Sequence, residues 1–171
     1  EMLPVPKALL VKGEILMNWT GLQATTEAAA YQGLSAAQTL EQWDAAVDKL
    51  EVGAVNLIAA DKSSIRYKVN SLIPDRGDPS ARPLPYRIMD GTDARTLWTG
   101  AYLSKDKLPA ARDPVRGFLA TANNDPWGFN ALGKAETAPF YYGYYFDAGD
   151  RAARIQSELA RLVTRGQVTA E

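Results

Sequence analysis

Val52-Gly53-Ala54-Val55-Asn56-Leu57-Ile58-Ala59-Ala60 and Ile65-Arg66-Tyr67-Lys68-Val69-Asn70-Ser71-Leu72-Ile73 flank the polar tetrapeptide Asp61-Lys62-Ser63-Ser64. Two apolar runs separated by turn formers predict an antiparallel β-hairpin. In the second run Ile65, Tyr67 and Val69 point one way and Arg66, Lys68 and Asn70 the other. Upstream, the stretch Glu27 to Leu50 is rich in Ala, Gln and Glu. Within it, Thr39-Leu40-Glu41-Gln42 reads as a capping box, the threonine hydroxyl and the glutamine amide serving free backbone N–H groups. Leu40, Trp43, Val47 and Leu50 then share one helical face, and Trp43 is expected in the core. Helix beside antiparallel strands makes this an α/β protein.

Further out the pattern changes. Leu9 to Val11 and Ile15 to Met17, parted by Lys12-Gly13-Glu14, predict strand, turn and strand. From Pro74 to Pro114 prolines crowd in, at 74, 79, 83, 85, 109 and 114, with Pro126 a little later. Proline interrupts both ladders and helix interiors, so a long ordered loop over the surface is expected. Gly117 to Ala122 predicts a last apolar strand, ending at Asn123-Asn124-Asp125-Pro126. Asp147 or Asp150 is placed to cap a final helix with the stripe Ile155, Leu159, Leu162 and Val163, stopped by Gly166.

Composition narrows the chemistry. At 171 residues, 46% hydrophobic and 23% charged, the chain has ordinary globular character and the length of one domain. A net charge of −1 offers no footprint for nucleic acid or an anionic membrane. Its apolar runs are too short to span a bilayer. There is no cysteine and no histidine, which excludes disulfides, thiol nucleophiles, Ser-His-Asp triads and imidazole or thiolate metal sites within this sequence. Chemistry here runs on carboxylates, hydroxyls, amides or a free amine. Glu1 is preceded by neither an initiator methionine nor a signal peptide, so a piece of a longer protein is expected.

Several residues could carry function. Asn123, at the end of a buried strand, can hold a side-chain N–H in place before negative charge develops on a carbonyl oxygen, although the same motif also closes an Asx turn. Arg151 opens the last helix, where a cation opposes the helix dipole, and so invites a carboxylate or substrate partner, or is an ordinary surface arginine. The aromatics Phe140, Tyr141, Tyr142, Tyr144, Tyr145 and Phe146, with Trp127, could stack a sugar, line a pocket or form core. Asp90-Gly91-Thr92-Asp93 lacks the rest of a calcium loop and reads as a turn. Asn18-Trp19-Thr20 is a formal glycosylation sequon of a kind common by chance.

Taken in order, these pieces resemble the penicillin acylase family of N-terminal nucleophile amidohydrolases. The resemblance is carried by Trp19-Thr20, the Ala-rich helix with Trp43, Val55-Asn56, Ala60-Asp61 and Ile73-Pro74-Asp75-Arg76. It continues through Leu97-Trp98-Thr99-Gly100, Leu108-Pro109, Asp113-Pro114, Gly117, Ala122-Asn123-Asn124-Asp125-Pro126 and Gly149-Asp150-Arg151. It implies an αββα fold with antiparallel strands, packed helices and the long Pro-rich loop. Residues 1–171 would form one segment of the large chain of an autoproteolytic precursor. The nucleophilic serine, whose own α-amine is the base, would lie outside the segment, leaving the segment alone inactive.

By the same resemblance Asn123 is the oxyanion-hole asparagine, Arg151 the active-site arginine, and Trp19 and Val55 walls of the acyl pocket. Pro79 lies near a proline whose carbonyl helps bind a structural calcium, whereas the acidic ligand expected before the last helix is replaced near Phe140. No cofactor is required for the chemistry. The implied partners are an acyl amide substrate and the rest of the precursor's small and large chains, with no nucleic acid and no membrane, in the periplasm or secreted. Phenylacetyl, glutaryl-like and long-chain acyl groups, including acyl-homoserine lactones, all stay open. So does a non-catalytic ligand- or carbohydrate-binding module built on residues 140–146.

Overall fold

The computed structural model describes residues 15–53, 55–77, 85–133 and 136–166. Two helices come first, α1 (Glu27–Ala36) and α2 (Leu40–Val47). The capping box forms in altered shape. Thr39 Oγ1 accepts from the Gln42 backbone N–H at 3.2 Å, but Gln42 Oε1 reaches the N–H of Gln38 rather than that of Thr39. Ala30, Trp43, Val47 and Leu50 meet as the hydrophobic core, with Leu34, Val55, Leu57 and Ala59 against it.

The hairpin follows as β1 (Leu57–Ala60) and β2 (Ile65–Lys68), paired antiparallel with Ile58 opposite Tyr67. Asp61 makes the turn, its Oδ1 accepting from the N–H groups of Ser63 and Ser64. A third strand, β3 (Ala110–Arg112), pairs with β2 and completes the sheet in the order β1-β2-β3. This strand lies inside the proline-rich stretch expected to be all loop.

The alternation along β2 holds, but its polar side faces a helix rather than solvent. Arg66 is 6% exposed beneath α2, where it donates to Asp44 and, at 2.6 Å, to Glu41. The Arg66 guanidinium holds the Glu41 carboxyl below the usual glutamate range. Lys68 pairs with Asp48 at 2.7 Å. Asn70 Nδ2 donates to the carbonyls of Leu50 at 2.7 Å and Asp48 at 3.2 Å, capping the exit of α2. The helix therefore sits on the sheet through apolar contacts on one side and ion pairs on the other.

Other expectations are corrected. Residues 9–14 of the expected first hairpin lie outside the described residues, and Ile15–Met17 are exposed coil. Gly117–Ala122 is not a strand. Phe118, Ala120 and Ala122 are buried in alternation, but no neighbouring strand among the described residues takes up their backbone groups. A short helix, α3 (Phe129–Leu132), follows it. The last helix, α4 (Asp150–Thr164), starts from Gly149 at φ 99° instead of an aspartate cap. That conformation favours glycine. Asp147 accepts from the Gly149 N–H at 3.0 Å, one step before the helix. The stripe on α4 remains largely uncovered, with Ile155 and Val163 exposed. Among the described residues no helix is long and apolar enough to cross a membrane.

Candidate active site

Asn123 ends the buried run at φ 62°, a left-handed conformation that asparagine tolerates better than most residues. Its carbonyl accepts from the Asp147 N–H at 2.7 Å, and Asn124 and Asp147 form a parallel bridge. The two asparagines divide the work. Asn124, 4% exposed, turns inward, accepting from the Ala122 N–H at 3.0 Å and donating to the Asp125 carbonyl at 2.8 Å. Asn123 projects outward.

Arg151, in the first turn of α4, reaches back to this loop. Its Nη2 donates to the Ala122 carbonyl at 2.8 Å, to Asn123 Oδ1 at 3.1 Å and to Asp147 Oδ2 at 3.0 Å. The cation so poorly matched to its helix dipole is thus held by a carboxylate from the preceding turn. The Gly149 N–H and then Arg151 hold the Asp147 carboxyl below the ordinary aspartate range. A guanidinium only donates, so the asparagine presents its oxygen to Arg151 and leaves Nδ2 as the free donor. Among the described residues Nδ2 has no partner, and an amide so oriented can receive negative charge on a carbonyl oxygen.

Beside it lies a cleft of about 200 Å³, lined among others by Asn56, Asn123, Pro126, Tyr142, Tyr145 and Phe146. Asn56 is steadied by Tyr67, whose hydroxyl donates to Asn56 Oδ1. Burial pushes the Tyr67 phenol well up, so it stays a neutral donor. Sequence reasoning missed Asn56 as a lining residue of the cleft at Asn123 and Tyr67 as its support, although the hairpin motif contained both.

Val55 and Asn56 part company at the entry to β1: Val55 packs on the helical core while Asn56 lines the cleft. Trp19 is 51% exposed, its indole folded over Gly21, where a Cβ would stand 2.4 Å from the ring. Asn123 and Arg151 are therefore brought together, whereas Trp19 and Val55 do not line the cleft at Asn123. Pro79 lies outside the described residues. Among the described residues no group of three or more carboxylates could hold a metal ion. Phe140, where the acidic ligand is expected, packs edge-on against Trp127 at 5.2 Å. The Phe140 side chain itself offers no oxygen ligand.

The aromatic cluster largely consumes itself. Trp127, Phe140, Tyr142 and Phe146 pack on one another with centroids 5.2 to 6.4 Å apart, and Tyr86 stacks on Tyr144. Asp125 ties the cluster to the asparagine loop, accepting from the Trp127 N–H and the Tyr142 hydroxyl.

The sequence model of the penicillin amidase family matches residues 5–171. This chain belongs to the penicillin amidase family. Among curated relatives, acyl-homoserine lactone acylases QuiP from two Pseudomonas fluorescens strains, Pf-5 and Pf0-1, are each 34% identical over 95 residues, covering 55% of this chain. The aligned part is only 11% of each relative's length. A thermostable penicillin G acylase from Alcaligenes faecalis shares the fold, with a TM-score of 0.55 and 23% identity over 80% of this chain and 22% of its own. The penicillin amidase segment is thus a mixed α/β unit spanning a minor part of such proteins.

Proposed function

We propose that this chain is part of the catalytic chain of an acylase that hydrolyses linear amides, with Asn123 Nδ2 as an oxyanion donor. The observation that carries the reading is the Arg151 contact to Asn123 Oδ1 at 3.1 Å, which turns the amide N–H₂ outward beside a cleft. A serine at the start of the processed large chain, outside this sequence, attacks the carbonyl carbon, and its α-amine takes the hydroxyl proton. The tetrahedral oxyanion is received by Asn123 Nδ2. The amine leaves with that proton, and water releases the acid from the acyl-serine.

On this reading Trp19 and Val55 belong to the acyl side and Arg151 positions the asparagine. The partners are the remaining precursor chains, and the setting is periplasmic or extracellular. A calcium would draw on the Pro79 carbonyl and on ligands beyond the described residues. The binding-module alternative is not favoured, because Phe140, Tyr142 and Phe146 pack on one another and on Trp127, and Tyr144 stacks on Tyr86. The test is the purified, processed full-length protein with N-acyl amides of phenylacetyl, glutaryl and octanoyl groups. Release of acid and amine in equal amounts is expected. Processed protein that cleaves none of them would overturn the proposal.

A further inference from the structure

The segment leading into α4 is fastened to the asparagine loop at both ends. Tyr142 donates to Asp125, and the Asp147 N–H donates to the Asn123 carbonyl at 2.7 Å. Whatever sits against Asn123 Nδ2 therefore shares the cleft with Tyr145 and Phe146. Phe146 folds back over Gly143, where a Cβ would stand 2.8 Å from its ring, and leans on Tyr142 at 5.7 Å. Tyr145 is different. It lines the cleft yet is 83% exposed, and among the described residues no ring contact or hydrogen bond holds it. Pro109 and Pro126 line the same cleft. A slot lined in part by aromatic and proline rings favours a planar apolar group.

The side of the amide follows from the chain. Val55 and Asn56 diverge, Val55 toward the helical core and Asn56 into this cleft. If Val55 marks the acyl side, the slot lies on the other side of the scissile bond. We infer that Tyr145 and Phe146 form a leaving-amine subsite that favours planar aromatic amines. This rests on the acylase reading above and adds to it the class of amine.

The test uses the processed full-length enzyme and substrates with one fixed acyl group, comparing the anilide with the N-methylamide. In Tyr145→Ala the ratio of kcat/KM for anilide over methylamide should fall about tenfold, the size of one lost aromatic contact. Tyr145→Phe, which keeps the ring, should restore the ratio. A second series, with the amine fixed and the acyl group varied, should keep its order of preference in Tyr145→Ala. An unchanged anilide preference, or a change that follows the acyl group, would overturn the subsite and leave the acylase reading standing. Should the processed protein cleave no amide, the acylase reading falls and aniline itself decides the subsite. Saturation-transfer NMR showing aniline bound, and lost in Tyr145→Ala, supports the subsite. No aniline binding overturns it.

Discussion

Replacing Asn123 by glycine removes the amide while keeping a residue that accepts φ 62° without strain. Alanine is the poorer probe, because a Cβ in the left-handed region costs about 1–2 kcal/mol and would blur a catalytic effect with a folding one. One oxyanion donor is typically worth on the order of 10²–10³ in kcat, about 3–4 kcal/mol. Asn123→Gly should therefore bind substrate with little change in KM and turn over two to three orders of magnitude more slowly, at roughly the parent's melting temperature. Asn124→Ala should show the reverse. Its side chain makes two hydrogen bonds at 3.0 and 2.8 Å in a buried turn, so removal costs about 2–3 kcal/mol of stability and leaves kcat near the parent's in the folded fraction. Thermal melts and steady-state kinetics on processed enzyme separate the two. An Asn123→Gly enzyme within about threefold of the parent's kcat would refute the assignment, given the size expected of such a donor.

Arg151→Met should lower kcat roughly 10–100-fold with a smaller change in KM, because the amide is then free to turn, and Arg151→Lys should not restore it. The Asp147 carboxyl, released from Arg151, should titrate at higher pH in that variant, which carboxyl-carbon NMR would register. Glu27 accepts from the N–H groups of Glu51 and Val52, and hydrogen bonds led by the Thr25 hydroxyl bring its pKa to about 2. A folded-state pKa below the unfolded value means that its stabilisation is present above about 4.5 and is lost as pH falls toward 2. Glu27→Gln should flatten the acid limb of the stability profile across that window, measured by pH-dependent denaturation. Val55→Phe should destabilise by about 1–3 kcal/mol through overpacking of the helical core. In that variant long acyl chains should also lose more rate than short ones, and an unchanged chain-length profile would remove Val55 from the acyl wall.

What could be read in the sequence was what is decided locally. The threonine cap of α2, the Asp61 turn and the hairpin depend on residues a few positions apart, and each formed, although the strands expected over residues 52–60 and 65–73 are only Leu57–Ala60 and Ile65–Lys68. The strand at Ala110–Arg112 did not announce itself, because two alanines and an arginine carry no strand preference and a partner 40-odd residues away supplies the ladder. The run from Gly117 to Ala122 erred in the opposite direction. Apolar alternation reports burial, and burial without a neighbouring strand leaves extended coil. Alternation set Arg66 on the face away from Ile65 and Tyr67, but nothing local signals that Glu41 and Asp44 stand above it. At the site, Asn123 and Arg151 stood out by type and position. That Tyr142 reaches Asp125, and so brings the aromatic segment to the same cleft, depends on a contact across 17 residues that no short motif encodes.

The ion pairs between α2 and β2 work as a ruler. Asp44 and Asp48 are four residues apart on a helix, about 6 Å of rise. Arg66 and Lys68 are two residues apart on a strand, about 6.6 Å. The two spacings nearly coincide, so both pairs close together in one alignment. Sliding the helix by a turn in one direction would set Lys68 against Asp44 and leave Arg66 facing Leu40. In the other direction it would set Arg66 against Asp48 and leave Lys68 facing Val52. Apolar packing tolerates such slippage far better than a stranded charge does. The matched charges thus select which way the helix lies on the sheet, and with it the height at which Asn56 enters the cleft that Asn123 also lines.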